Sequence, residues 1–455
     1  MHARPHRPPR TRLALALLTL LAACGGGSGV DSAAPPTDCS LEGQQSWLAT
    51  YMDDWYFWYR LSPHPARAAF SDVASYFDAL LYTGASPDFP RDRWSGSQST
   101  ESFNRFFGDG ATLGYGVSVA GLELARDGSL PLRVRHVEAL SPAAAQGVLR
   151  GDLVLQINGR NVGELIAADD FSALSAQQAG ETLVLLLRRN GVDLNLTLRA
   201  AVFNLTPVTG VNVVTTVGGR RLGYVAVKDM ISQALPPLEA AFARFRAEAV
   251  QDVVLDLRYN GGGLVSTGAT LASYVAGSRG SGLNYASLLY NDKRAASRNT
   301  SYRFETPASA LGLPRVFVLM GRRTCSASEQ LINGLRGAGL DVVAVGETTC
   351  GKPVGFLPAS ACGRTYSAVN FESVNQRNEG RYFDGFAATC AVREDFSATQ
   401  GGTADPLLQA ARQWADTGAC PPLAQDRALP LAARRELPSR RMLEEGDRAQ
   451  GMIPR

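Results

Sequence analysis

The stretch RVFVLMGRRTCSASEQ, residues 315–330, decides how the rest of the chain is read. Its apolar run, 316–320, has the length and the β-branched and aromatic content of a buried strand. Gly321 and two arginines break that run, and from Ser326 onward the pattern predicts an amphipathic helix. A buried strand that turns into a helix is the repeating unit of an α/β core with parallel strands. The turn also raises a chemical question. Ser326 sits at the expected helix tip, where N–H groups and the dipole favour developing negative charge. A serine hydroxyl is nevertheless a poor nucleophile until a base takes its proton.

Outward from this stretch the alternation repeats. LGYVAV (222–227) precedes a helical pattern over 238–250, and DVVLDLRYNGGG (252–263) precedes another over 264–276. DVVAVGE (341–347) follows the helix after Ser326. Residues 201–422 are therefore read as an α/β core. Residues 41–107 are helical in pattern and aromatic-rich, notably DDWYFWYRL (53–61), and are expected to form a small domain that buries those rings. Residues 108–200 change to short β segments, in which Asn158-Gly159 predicts a type I′ hairpin turn. The expected fold class is multidomain α+β, with an N-terminal helical segment, a β domain and an α/β core.

The ends read differently. Arg4, Arg7, Arg10 and Arg12 precede a short apolar core, which predicts a signal peptide over residues 1–23. LAACG (21–25) resembles a bacterial lipobox, cleaved before a Cys24 that would carry the lipid; an ordinary cleaved signal with an accidental cysteine stays open. Residues 24–40 are read as a flexible tether. Residues 423–455 are rich in Arg, Glu and Pro without periodicity, and are expected to be disordered. The expected location is the bacterial cell envelope, as a periplasm-facing lipoprotein of the outer membrane.

Composition narrows the chemistry. A dispersed net charge of +3 argues against a nucleic-acid partner. Once the leader is removed, only His64 and His136 remain, in the helical and β segments. The other cysteines, Cys39, Cys325, Cys350, Cys362, Cys390 and Cys420, suggest disulfides in an exported chain. Cys362 with Cys390 is the first choice because they flank a strand-rich stretch; a Cys325–Cys350 bridge beside Ser326 is also entertained. There is no CxxC and no HExxH, so neither a metal nor a cofactor is expected.

With histidine scarce, the base for Ser326 is sought elsewhere. Lys352 lies in GETTCGKPVGF (346–356), and Pro353 biases it toward an extended backbone. To serve near neutral pH its pKa has to fall from about 10.4 toward about 7, a shift that burial can supply. The amide of Ala327 and a glycine amide near Gly262, in the NGGG run that leaves a strand, are the candidate oxyanion donors.

These motifs carry a resemblance. SASE (326–329), VGETTCGK (345–352) and DLRYNGGG (256–263) resemble the carboxyl-terminal processing, or tail-specific, serine peptidases, and residues 141–162 resemble the PDZ domain of bacterial periplasmic proteases. The resemblance implies a core of the ClpP/crotonase-like type and a Ser326–Lys352 dyad. It also implies an oxyanion hole from Ala327 and Gly262, and a substrate C-terminus received by the backbone of Gly114, Tyr115 and Gly116. Two departures stand out. The serine–lysine spacing is one residue longer than the resemblance leads one to expect. Phe356 occupies the place of a polar residue that orients the lysine, with Glu347 and Glu329 as substitutes. Ser328 or Cys325 as nucleophile, a non-catalytic peptide-binding lipoprotein, and an acyl-transfer or hydratase enzyme on a similar core are the alternatives.

Overall fold

The computed structural model describes residues 36, 38–120, 132–168, 170–422 and 452–454. A six-stranded sheet is the spine of the core, ordered Val208–Thr215, Arg221–Val227, Asp252–Asp256, Arg315–Met320, Asp341–Gly346 and Cys390–Ala391. Its first pair is antiparallel and every later pair is parallel. Successive side chains leave opposite faces of a strand. Accordingly Val253, Leu255, Val316 and Val318 pack with the helices Leu235–Ala247, Val265–Ala276 and Ala327–Gly337. Val254, Phe317 and Leu319 instead meet the helix Pro406–Thr417. Burial on both faces explains why these runs are continuously apolar in the sequence. A second sheet, ordered Thr300–Arg303, Asn284–Tyr290, Val369–Val374 and Val354–Phe356, holds the strand that follows Lys352.

The aromatic segment packs against the core. Ser40 caps the helix Leu41–Trp55 by accepting the Gly43 N–H. Trp47, Tyr51, Trp55 and Tyr56 then bury in the same apolar cluster as Tyr285, Tyr366 and Val369 of the core. The strand Gly96–Ser99 pairs with Arg364–Ser367, and Asn370 Nδ2 donates to Trp55 O at 2.9 Å. The rings of 41–107 are buried, as expected, and they share their apolar cluster with the core. The rings are too many for so short a segment to cover alone.

The β domain keeps its own core, including Val134, Ile157, Leu185 and Leu187. Its sheet runs Val117–Ala120, Arg133–Val137, Leu153–Ile157, Thr182–Arg189 and Val192–Arg199, leaving Val117–Ala120 at an edge. Asn158 and Gly159 both have positive φ, 49° and 76°, as a type I′ turn requires. Ser141 caps the short helix Pro142–Ala145, with proline in its first turn. The domain is tied to the core by the strand pair Ala111–Gly114 with Ala201–Asn204. Arg150 adds a bond to the Tyr259 hydroxyl at 2.6 Å and an ion pair with Glu394 at 2.8 Å.

Two expectations are corrected here. The disulfides join Cys39 to Cys362, Cys325 to Cys350 and Cys390 to Cys420, so Cys362 and Cys390 are not partners. Cys362 lies on a turn beside the N-terminal segment, whereas Cys390 is in the edge strand of the main sheet, next to the end of the last core helix. The segment expected to be a disordered tail contains a buried strand, Met452–Ile453, paired in parallel with Gly263–Leu264. The signal peptide, Cys24 and most of the tether and tail lie outside the described residues. Among those described, no helix is long and apolar enough to cross a membrane.

Candidate active site

Ser326 precedes the helix Ala327–Gly337 with φ 60° and ψ −118°, a backbone conformation rare for any residue with a side chain. Such strain persists only where the surroundings over-determine it. Here the Cys325 N–H donates to Asn260 O at 3.1 Å, and the Ser326 N–H donates to Glu329 Oε2 at 3.0 Å. The Ser328 hydroxyl is already committed, donating to Asn260 O at 3.1 Å, which makes it a packing residue. The Ser326 hydroxyl is buried, faces the Glu329 N–H in a capping box, and makes no closer hydrogen bond among the described residues.

Lys352 is 1% exposed. Gly351 before it has φ 81°, and a Cβ there would fall 2.0 Å from Phe383 O, so only glycine lets the loop pass. Glu329 joins this loop to the serine. Besides the Ser326 N–H, its carboxylate accepts the Gly351 and Lys352 N–H groups, each at 2.8 Å, and the Thr349 hydroxyl at 2.5 Å. Burial pushes the Glu329 carboxyl up, and these donors oppose that shift. Glu329 therefore pins the lysine's backbone. Glu347 lines a separate small cavity with Arg322 and Arg393.

Burial lowers the Lys352 pKa to about 7, against the charges of Asp92 and Glu329, which favour the ammonium form. Its Nζ lies 4.0 Å from the centroid of the Phe356 ring. Phe356 thus offers a π face where the resemblance expects a polar partner. Asp92 belongs to the N-terminal segment, accepts the Tyr56 hydroxyl at 2.6 Å, and has no motif around it in the sequence. Arg93 from the same segment donates to Cys350 O and Phe383 O, at 3.3 and 3.1 Å, and braces the lysine loop.

The Cys325–Cys350 disulfide makes the link between the two loops covalent, across 25 positions. Loop-closure entropy for that separation is worth about 3 kcal/mol. The Cys325→Ser/Cys350→Ser variant is expected to lose about that much in urea unfolding. Cys325, Glu329 and Cys350 lie close enough together to hold an ion, but the two sulfurs are bonded to each other and neither offers a thiolate.

The oxyanion expectation needs one revision. The Gly262 N–H donates to Asn260 Oδ1 at 2.9 Å, while Asn260 Nδ2 donates to Val227 O at 2.9 Å. Gly262 is therefore engaged, and Gly261 is the neighbouring amide in the same run. Asn260, quoted in the sequence only as part of a glycine turn, proves to be the buried clamp of both the glycine run and the serine turn. Ala327 is the first residue of its helix, where amides have no intrahelical acceptor.

Gly261 and Gly262 open onto a cavity of about 400 Å³ between the core and the β domain. Gly114, Tyr115 and Gly116 line its other side, with the edge strand at Val117 and Ser118 and the basic residues Arg135 and Arg323. Arg135 stacks over Tyr259, 5.3 Å from its ring centroid. His136 lines the same cavity, and His64 bonds to Tyr59 O within the N-terminal segment.

Residues 221–372 match the model of peptidase family S41. Residues 43–96 match the peptidase S41 N-terminal domain and 133–189 a PDZ domain. The S41 match contains Asn260, Ser326, Glu329 and Lys352. The C-terminal processing peptidase, chloroplastic, of Tetradesmus obliquus is 28% identical over 252 residues, 52% of this chain and 51% of that protein. The carboxyl-terminal-processing protease of Picosynechococcus sp. is 28% identical over 221 residues, 47% and 48% of the two chains. The chain thus spans about half the length of these curated relatives. A candidate S41 protease from Bacteroides fragilis superposes with a TM-score of 0.64 over 82% of this chain and 97% of its own, at 23% identity, which establishes the shared fold. These matches support a serine-type peptidase.

Proposed function

We propose that the chain is a serine endopeptidase whose PDZ domain binds a substrate C-terminus and whose S41 domain cuts nearby through Ser326 and Lys352. The observation that carries this reading is Lys352, a fully buried amine with its pKa lowered to about 7, on a loop that Glu329 ties to the serine turn. Neutral Lys352 accepts the Ser326 proton as the hydroxyl attacks the scissile carbonyl. The amides of Ala327 and Gly261 hold the tetrahedral oxyanion. Lys352 then protonates the leaving amine, and the same amine activates the water that hydrolyses the acyl-enzyme.

The PDZ domain offers the edge strand Val117–Ala120, to which an extended peptide adds. Gly114, Tyr115 and Gly116 lie at the head of that groove for the terminal carboxylate, and the cavity leads from there to Gly261. Three disulfides fit an exported chain. Lipidation at Cys24 would anchor it on the periplasmic side of a membrane, the outer one by the residue that follows Cys24. The second reading, a non-catalytic peptide receptor on this fold, draws on the Ser326 hydroxyl, which makes no hydrogen bond to Lys352.

Incubating the purified chain with an unfolded reporter protein between pH 6 and 9, and sequencing the products by mass spectrometry, tests the two. New internal C-termini are expected. A reporter bound but intact across that range would leave the receptor reading.

A further inference from the structure

A two-residue strand of this chain, Met452–Ile453, packs beside the helix that Ser326 precedes. Met452 and Ile453 pair in parallel with Gly263 and Leu264, at the end of the glycine run. On their other side lies the strand Val354–Phe356, directly after Lys352. A Cβ on Gly355 would fall 2.5 Å from Met452 O, so the backbones touch there. Gln330, one helical turn beyond Ser326, donates from Nε2 to Met452 Sδ at 3.5 Å. Met452 is 0% and Ile453 2% exposed. Ile453 packs among Phe103, Phe107, Phe203, Leu205, Ile231 and Leu264, where the N-terminal segment, the PDZ junction and the core meet.

We propose that residues 452–453 are a pseudosubstrate acting in cis. This rests on the peptidase reading above and deepens it. The groove between Gly263–Leu264 and Val354–Phe356 is the strand-binding part of the active site. It accepts an extended segment with two adjacent large apolar side chains, and the chain's own Met-Ile competes with that segment. A strand that enters here touches the segments carrying the oxyanion amides, the nucleophile's helix and the base. An open strand edge recruits any extended chain that can pair with it. Met452 and Ile453 satisfy the edge and bury two apolar side chains in its pockets, so a substrate has to displace them. Occupancy in cis reduces apparent affinity by the fraction of molecules in which the groove is open.

The experiment uses the full-length chain with Met452→Asp/Ile453→Asp, which places two carboxylates where the pockets are apolar. On an unfolded reporter protein the expected result is a KM at least about tenfold lower with kcat unchanged, because only competition is removed. A synthetic octapeptide with the sequence of residues 448–455 restores inhibition of this variant, and the same peptide with both aspartates does not. Ile453→Thr, a milder change on the same strand, is read in the same way if the double variant does not fold. Binding of the fluorescein-labelled octapeptide is followed by anisotropy after adding Ser326→Ala to the variant and to the otherwise unchanged chain. Binding to the Asp variant alone, with no cleavage by any form, sinks the peptidase reading and upholds the groove assignment. An unchanged KM, together with equal or absent peptide binding in both backgrounds, overturns the pseudosubstrate.

Discussion

Lys352→Met is expected to lower kcat by about 10²–10⁴-fold and, at the same time, to make the protein more stable at pH 7. Methionine keeps the length and apolar stem of the side chain and removes the titrating amine. Lys352→Arg keeps a cation that does not deprotonate near neutral pH, and loses the same activity without the gain in stability. On the proposed mechanism Ser326→Ala falls as far as Lys352→Met, because nucleophile and base would act as a unit.

The pH dependence follows from the direction of the shift. The folded amine titrates at about 7, whereas the unfolded one titrates near 10.4. Between those values the unfolded chain holds the extra proton, so stability rises with pH across that window. Below about pH 7 both states are protonated and the cost of the buried ammonium is fully present. An amine held about 3 pH units below its unfolded value costs up to about 4 kcal/mol at pH 7, and Lys352→Met removes that cost. Activity, which needs the neutral amine, climbs through about pH 7 and then levels. Urea unfolding at pH 6 and 10, set beside a kcat/KM profile, reads both effects. An activity limb that stays put in Lys352→Met would falsify the assignment of the base.

Glu329→Gln is the second large effect. Four donors converge on this carboxylate: three backbone amides and the Thr349 hydroxyl. A glutamine side chain turns an NH₂ toward donors and leaves at least one amide buried without an acceptor, at about 1–3 kcal/mol each. Glu329→Ala frees all of them. Expected losses are about 2–4 kcal/mol in stability for Gln and more for Ala. Activity should fall by about 10²-fold, because both catalytic loops lose their shared anchor. The loss should appear in kcat, and the activity limb should move below pH 7, since the neutral side chain no longer supplies the negative charge that favours the ammonium form of Lys352. A Gln variant of unchanged stability would show that the carboxylate is not the anchor.

Much of the core was legible because burial on both faces writes itself into the strands. The runs 222–227, 253–255, 316–320 and 342–346 are apolar without interruption, and each lies in the main sheet. The turn at Asn158-Gly159 was equally plain, since few residues tolerate positive φ twice in succession. In the aromatic segment the burial of the rings was legible but its partner was not, because rings signal burial without saying against what, and the partner lies some 300 positions away, at Tyr366 and Asn370. The tail, by contrast, misled. Two apolar residues in a charged stretch are too short a signal for periodicity, yet they suffice to complete an existing edge.

From residues alone came the order of the parts, the serine at a helix tip and a lysine set among apolar neighbours, because local patterning and chain geometry determine these. Tertiary structure alone decided that Glu329 is the anchor, that Gly262 is already engaged by Asn260, which cysteines pair, and that Met452 lies in the groove. Each of those depends on which distant segments share a dry space. In such a space a single carboxylate, amide or methionine is held by whatever donor or apolar surface the fold brings to it, and linear sequence carries no record of that meeting.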